Sequence, residues 1–204
     1  PTTPPPSPPP PTHVRVPEDC RTLHDAVNTV HENHRLTTIV LGTGIHLVDG
    51  DYLEIASAMN IVGRPDAPKE NIVILGGVWF TKGVPGNCHL QHVTLRQAKR
   101  NGVRGMSMFT MDDVVVEHCG AHGVHAYGTG SVGRGTDVEV RHCGMSGVVA
   151  DCGGTLVLEG AKTTVHHNGT KGYSNCYGLA VYGAVSSSIG LVLPLTKEHV
   201  SVDN

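Results

Sequence analysis

The pattern D-V-x-V-x-H-C-G-x-x-G-V-x-A occurs twice, from Asp113 and from Asp137, at an interval of 24 residues. Fainter copies flank it. Val93, Leu95, Ala98 and Gly102 fall 21 residues before Val114, Val116, Cys119 and Gly123, and Ile72 falls 21 before Val93. "VHHNG" from Val165 follows "VRHCG" from Val140 after 25 residues, with a longer loop, "TKGYSNCYG", before "LAVYG" resumes the pattern. A period of 21 to 25 residues built from short β-branched runs and glycines marks a solenoid. Leucine-rich repeats share the period but need a leucine and asparagine skeleton, which this chain lacks. The expected fold class is therefore all-β, a parallel β-helix whose turns bury their apolar faces only against the turns above and below.

Side-chain alternation sets the logic of one turn. Val114 and Val116 are expected to point inward and Val115 and Glu117 outward, with Val138 and Val140 inward and Glu139 and Arg141 outward in the next turn. Equivalent positions then stack about 4.8 Å apart. Gly120, Gly123, Gly144 and Gly147 are expected to supply the corners, since glycine adopts conformations other residues resist. Thr38 to Val192 leaves room for about seven coils. Thr38–Leu41, Leu53–Ile55 and Asn60–Val62 read as strands, and of Trp79 and Phe80 one should face the core. Upstream, Glu18 to Arg35 reads as one amphipathic helix with Leu23, Ala26, Val27 and Val30 on one face. Thr22 serves as its N-cap and Asp25 completes a capping box. This helix would cap the coil. The organisation is thus a proline-rich tail (1–13), a capping-helix region (14–36) and the β-helix (37–204).

Eight of the 13 prolines lie in the first eleven residues. Such a segment lacks most backbone donors and favours a polyproline II rod of roughly 3.1 Å per residue, or a disordered linker. Net charge is −3 and no dense basic patch occurs, which argues against a nucleic-acid partner. The apolar runs are short, so no membrane span is expected. The chain opens with neither an initiator Met nor a signal peptide, as in a mature form or a fragment. The six cysteines include no C-x-x-C, which disfavours zinc ribbons and thioredoxin-type redox sites.

Val16 to Gly63, "VPEDCRTLHDAV … TIVLGTGIHL … NIVG", resembles the opening of pectate-lyase-like right-handed β-helix proteins, and "HCGAHGVHA" and "HCGMSGVVA" resemble their rungs. The chain is also similar to repetitive β-helix proteins of unicellular algae. In the tail, "SPPPP" from Ser7 resembles the repeat of extensins and other hydroxyproline-rich cell-wall glycoproteins. That resemblance implies hydroxylation and O-linked glycans at Pro4, Pro5, Pro6, Pro8, Pro9, Pro10 and Pro11, and sugar on Ser7. The superfamily includes lyases, hydrolases and epimerases acting on uronate polymers. An enzyme reading would use Asp112, Asp113, Arg134 and Asp137 (with Asp151 near by). The pectin-hydrolase pattern is incomplete, however. Asp112-Asp113 is present, but Gly120-Ala121-His122-Gly123 breaks the Gly-His-Gly element and no Arg-x-Lys occurs.

Three side-chain columns follow from the alignment: Cys119, Cys143 and Asn168; His118, His142 and His167; Glu117, Arg141 and His166. Adjacent rungs lie within disulfide range, so Cys119 and Cys143 are either bridged or a pair of buried thiols. Cys152 with Cys176, and Cys20 with Cys88, are further candidate pairs. The histidines offer a weak metal site, because stacked imidazoles more often stand side by side toward solvent. Glu117 over Arg141 reads as an exposed ion pair worth under about 1 kcal/mol. Asn168 opens an N-x-T glycosylation sequon; its column argues for an inward or corner amide hidden from the transferase, and the longer loop beside it argues for access. Trp79 and Phe80, or Tyr173, Tyr177 and Tyr182, offer sugar platforms.

These readings favour a non-catalytic structural subunit of an extracellular fibre, coat or cell-wall matrix, without cofactor. The helix caps one end, while "KEHVSVDN" offers no covering element at the other. Self-association head to tail is the expected partnership. The alternative is a polysaccharide-active enzyme or a carbohydrate-binding module.

Overall fold

A computed structural model describes residues 12–183 and 186–204. The proline and Ser7 glycosylation positions of the tail lie outside these residues. The described residues open with strand β1 (His13–Val16) and helix α1 (Leu23–Glu32). Strands then arrive in threes. They are β2 (Thr38–Leu41), β3 (Gly44–Leu47) and β4 (Leu53–Ile55); β5 (Asn60–Gly63), β6 (Ile72–Leu75) and β7 (Val78–Phe80); β8 (Cys88–Gln91), β9 (Thr94–Arg96) and β10 (Val103–Gly105). The next three circuits hold β11 (Met108–Asp112), β12 (Val115–Glu117) and β13 (Val124–Tyr127); β14 (Val132–Thr136), β15 (Glu139–Arg141) and β16 (Val148–Asp151); β17 (Thr155–Glu159), β18 (Thr164–His166) and β19 (Leu179–Tyr182). A partial circuit follows with β20 (Ser188–Leu191), helical turn α2 (Lys197–Val200) and β21 (Ser201–Val202).

Every third strand pairs in parallel. The first sheet runs β1-β2-β5-β8-β11-β14-β17-β20, the second β3-β6-β9-β12-β15-β18-β21, and the third β4-β7-β10-β13-β16-β19. The fold is a parallel β-solenoid of about six turns, not seven. The shortfall arises because the last circuit never forms a third-sheet strand and because two earlier circuits are long: Asn60 pairs with His89, and Val148 with Leu179. The repeat registers as the sequence implies, with Leu95 on Val116, Val116 on Val140 and Val140 on Val165. These inward residues are fully buried, as are Phe80 and Phe109, whose rings stack at 5.4 Å.

Helix α1 is shorter than the sequence suggests, because its first turn begins at the Thr22 cap. Asp25 N donates to Thr22 Oγ1 and Thr22 N to Asp25 Oδ2, completing the box. Its buried face is Leu23, Ala26, Val27 and Val30, which closes one end of the core against β1 and β2. The opposite end is not bare. Leu195 and Val200, around α2, are buried and join the core, so the chain does carry a small plug there.

The corners differ from expectation. Gly120, Gly123, Gly144 and Gly147 do not take positive φ. The left-handed non-glycine residues among those described are His92, Asp113 and Asp137 after first-sheet strands, Gln97, His118, His142, His167 and Asp203 after second-sheet strands, and Cys152 after a third-sheet strand, all with φ between 50° and 55°. The glycines serve close approach instead: a Cβ on Gly123 would lie 2.2 Å from Val140 Cγ1 and 2.7 Å from Gly147 O. Substituting Gly123→Ala is therefore expected to destabilise the fold by about 1–3 kcal/mol. His118→Gly should cost less, since it removes a left-handed penalty of about 1–2 kcal/mol. Denaturant unfolding of the two variants checks the order.

Candidate functional site

The outer face of the second sheet is more buried than alternation alone implies. Val115 is outward yet 2% exposed, and Thr94 and Val73 beside it are also buried. The 64–71 connection lies against this face. Thr94 Oγ1 donates to Lys69 O, His92 Nε2 bonds Ala67 O, and Lys69 Nζ reaches Asp113 Oδ1 at 2.5 Å. Glu117 is likewise buried, its side chain 4% exposed, so its ion pair with Arg141 is not a surface one. Arg96 Nε donates to Glu117 Oε1 at 2.5 Å from one rung, and Arg141 Nε to Oε2 at 2.8 Å from the next. Burial pushes this carboxyl up, but the Arg141 and Arg96 guanidiniums outweigh it and hold it below the usual glutamate range.

The residues of the enzyme reading are held in separate contacts. Asp112 accepts a weak bond from Gln91 (3.4 Å), and Arg134 pairs with Glu159 (3.4 Å). Asp113 is taken by Lys69 and by His92 Nδ1 (2.6 Å). Asp137 accepts from the backbone N–H of Lys162 at 3.0 Å. Asp113 and Asp137 are corner residues of one column, which is the turn role their repeat position implies.

The cysteine column is present without bridges, and all six thiols are free. Cys119 Sγ donates to Glu117 O and Cys143 Sγ to Arg141 O, each two residues back, as Asn168 Nδ2 donates to His166 O. Asn168 is buried, and its amide also donates to Val140 O and Asn204 Oδ1 while accepting from Cys143 N. Cys152 is exposed at a third-to-first-sheet corner, whereas Cys176 lies in the 169–178 insertion. Cys20 faces Thr29 Oγ1, and Cys88 faces Ser57 O from β8, three strands along the first sheet from β1. In the histidine column, His118 and His142 stack at 5.0 Å and 14°. Among the described residues no three His, Cys, Asp or Glu side chains already converge as a metal would require.

The outer face of the third sheet carries the densest unsatisfied chemistry. Glu54, Trp79, Arg104 and His125 align on successive rungs, with Tyr127, Asp151 and Tyr182 in the neighbouring column. The Arg104 guanidinium lies 5.5 Å from the ring centroids of both Trp79 and Tyr127. Tyr52 tilts against Trp79 at 6.2 Å, and its hydroxyl accepts from Asn101 N. A cavity of about 410 Å³ opens here among Asp49, Asp51, Tyr52, Trp79, Arg100 and Arg104. Trp79 Nε1, Arg104 Nε, His122 Nδ1 and His125 Nε2 are buried without hydrogen-bond partners among the described residues. Tyr182 bounds the trough at its other end by donating to Asn175 O at 2.7 Å. Trp79 stood out in the sequence as one of the few aromatic residues. Arg104, His125 and Tyr127 were not legible beside it, because their column holds a different residue type on every rung.

Aromatic faces with unspent N–H donors suit a ligand that combines flat apolar patches with oxygen acceptors, as sugars do. His125 is a weak base here: burial lowers its imidazole to about 4, helped by His122 and opposed by Asp151, whose Oδ2 is 3.8 Å away. No family model, curated protein or solved structure matches this chain.

The His125 shift has a definite sign. The unfolded imidazole takes up its proton near pH 6.5 and the folded one only near 4, so folding loses stability as pH falls across that window. Substituting His125→Gln should flatten the decline of unfolding free energy between pH 6.5 and 4. An unchanged slope in denaturant titrations would show that the imidazole charges freely in the fold.

Proposed function

We propose that this chain is a non-catalytic structural subunit of an extracellular fibre, coat or cell-wall matrix, built on a right-handed coil of the pectate-lyase-like kind. Right-handedness is supported by the strong bias of parallel strand-to-strand crossovers. The observation that carries the reading is the state of the strand edges. Each sheet ends, on both sides, in a strand paired along one edge only. At one end β3 leaves Ile45 66% and Leu47 62% exposed; at the other, Leu193 is 84% exposed beside β20 and Val202 43% exposed in β21. The plugs at α1 and α2 seal the core and add no strand to these edges, although on β1 the Arg15 N–H is already taken by Asp19 Oδ2 and its carbonyl by the N–H groups of Asp19 and Cys20. A second copy stacked on them would extend the three ladders, and such a heterologous contact continues as a filament when it does not close. The tail, O-glycosylated through hydroxyproline, would project from or tether such a fibre at the cell surface. Dispersal of Asp112, Asp113, Arg134 and Asp137 among unrelated contacts supports the non-catalytic side of the reading.

Sedimentation velocity and negative-stain microscopy test the assembly. The full chain should form lengthening rods as concentration rises, and an Ile45→Asp, Leu193→Asp variant should sediment as a monomer with unchanged circular dichroism. A wild-type chain that stays monomeric refutes the fibre.

A second reading, carbohydrate binding or processing on the third sheet, is favoured by the Trp79 trough. Migration of the protein through gels containing neutral or uronate polysaccharides should be retarded, and Trp79→Ala should abolish the retardation. Equal mobility of wild type and variant in every gel would remove this reading, while release of unsaturated uronides would make the protein a lyase.

A further inference from the structure

We propose that the corner after β15 and β18 is a binding site for a divalent transition-metal ion of the zinc, nickel or copper class, with His142, His166 and His167 as ligands. This goes beyond the fibre reading and does not depend on it. The first observation is a nitrogen pair. His166 Nδ1 and His167 Nδ1 face each other at 2.7 Å. Two imidazole nitrogens at that distance share one proton between two lone pairs, and parting them to the roughly 3.3–3.4 Å between ligands of one tetrahedral ion would replace that proton with a cation.

The second observation fixes which nitrogen of His166 is bare. Its Nε2 lies 3.1 Å from Glu139 Oε1, and Glu139 is itself held by Arg141 Nη1 at 2.6 Å. Nε2–H therefore donates to the carboxylate, and Nδ1 keeps its lone pair directed at His167. A carboxylate behind an imidazole is the usual outer support of a metal-bound histidine, setting its tautomer and raising its basicity. His167 needs only to carry its own proton on Nε2 for both Nδ1 atoms to become ligands. No net charge is taken up by that shift.

The third observation supplies the third ligand. The His142 ring centroid lies 5.3 Å from that of His167 and 6.3 Å from that of His166, and those two are 5.0 Å apart. With metal–nitrogen bonds of about 2.0–2.1 Å, imidazoles around one tetrahedral ion have centroids about 5 Å apart. The ring of His142 is stacked on His118 and points no nitrogen at the pair. Turning it out of that stack completes a three-imidazole face. The fourth position would belong to water or to a ligand from outside. Imidazole donors without a coordinating carboxylate select borderline first-row ions over calcium or magnesium. Histidine at 142 and 167 also serves the left-handed backbone, but Asp113, Asp137 and Gln97 serve it equally at other corners, so the backbone does not explain imidazoles on adjacent rungs here.

Equilibrium dialysis of the full chain against Zn²⁺, read by elemental analysis, tests the site, with the visible spectrum of the Co²⁺ form reporting geometry. One equivalent should bind, and the Co²⁺ form should show intense tetrahedral bands. His167→Asn and His142→Asn keep a residue that tolerates the left-handed corner, and each should weaken binding at least about tenfold. Glu139→Gln removes no ligand and should weaken it about 10- to 100-fold. His34→Ala, on the far side of the helical cap, should change nothing. Zinc affinity equal in the wild type and in a His166→Gln, His167→Asn double variant, or Co²⁺ bands of octahedral intensity only, would overturn the proposal.

Discussion

The solenoid depends on one backbone event that recurs through its middle circuits: a single non-glycine residue in the left-handed region directly after a first- or second-sheet strand. Asp113 and Asp137 turn the chain from the first sheet to the second, and His118, His142 and His167 begin the turn from the second to the third. A one-residue corner leaves the chain no slack. The following strand must restart directly beneath its predecessor, so Val116, Val140 and Val165 fall on one inward line. Slipping one residue would send each valine outward and each charged neighbour into the core. Each non-glycine corner costs about 1–2 kcal/mol in backbone strain. Asp113 and Asp137 hold their corners through bonds to other segments, Asp113 with Lys69 and His92 and Asp137 with the Lys162 N–H. Burial of the inward columns, at about 25 cal/mol per Å² of apolar surface, is what offsets the strain.

Glu117 shows how the outer layer reinforces this register. It is a buried carboxylate gripped from the rung before by Arg96 and from the rung after by Arg141. Both guanidiniums keep about a third of their surface in water, so they remain solvated while neutralising the carboxylate. That asymmetry is why the two guanidiniums outweigh the burial that pushes the carboxyl up. The chain thus crosses three rungs with one charge cluster, and Glu139 extends it toward the histidine corner through Arg141.

Inward columns were legible in the sequence because their rule is local: alternation within a strand and repetition after 21 to 25 residues. The helix face, the Thr22–Asp25 box and strands such as Thr38–Leu41 follow from equally local signals. The role of Gly123 was not legible. What forbids its Cβ is the side chain of Val140, one rung away, and the distance between them exists only once the coil has closed. The burial of Val115 was hidden for a related reason, since the 64–71 connection that covers its face belongs to a different circuit. The trough of Trp79, Arg104 and His125 escaped because no shared residue type marks its column. At the far end, Leu195 and Val200 were too few to announce a plug.

Variation is confined to the corners and outer faces. The 64–71 segment lengthens a first-to-second-sheet connection, and the 169–178 segment a second-to-third one. Neither shifts the inward valines, because the extra residues enter and leave the coil at the same corner positions. A core indifferent to what is attached outside it carries no information about function. Function in this chain must therefore be sought where the repeat breaks its own pattern: histidine following histidine at 166 and 167, an arginine lodged between two aromatic rings at 104, and apolar side chains left open at Ile45 and Leu193. Each is tolerated without cost to the register, and the inward columns give no account of any of them.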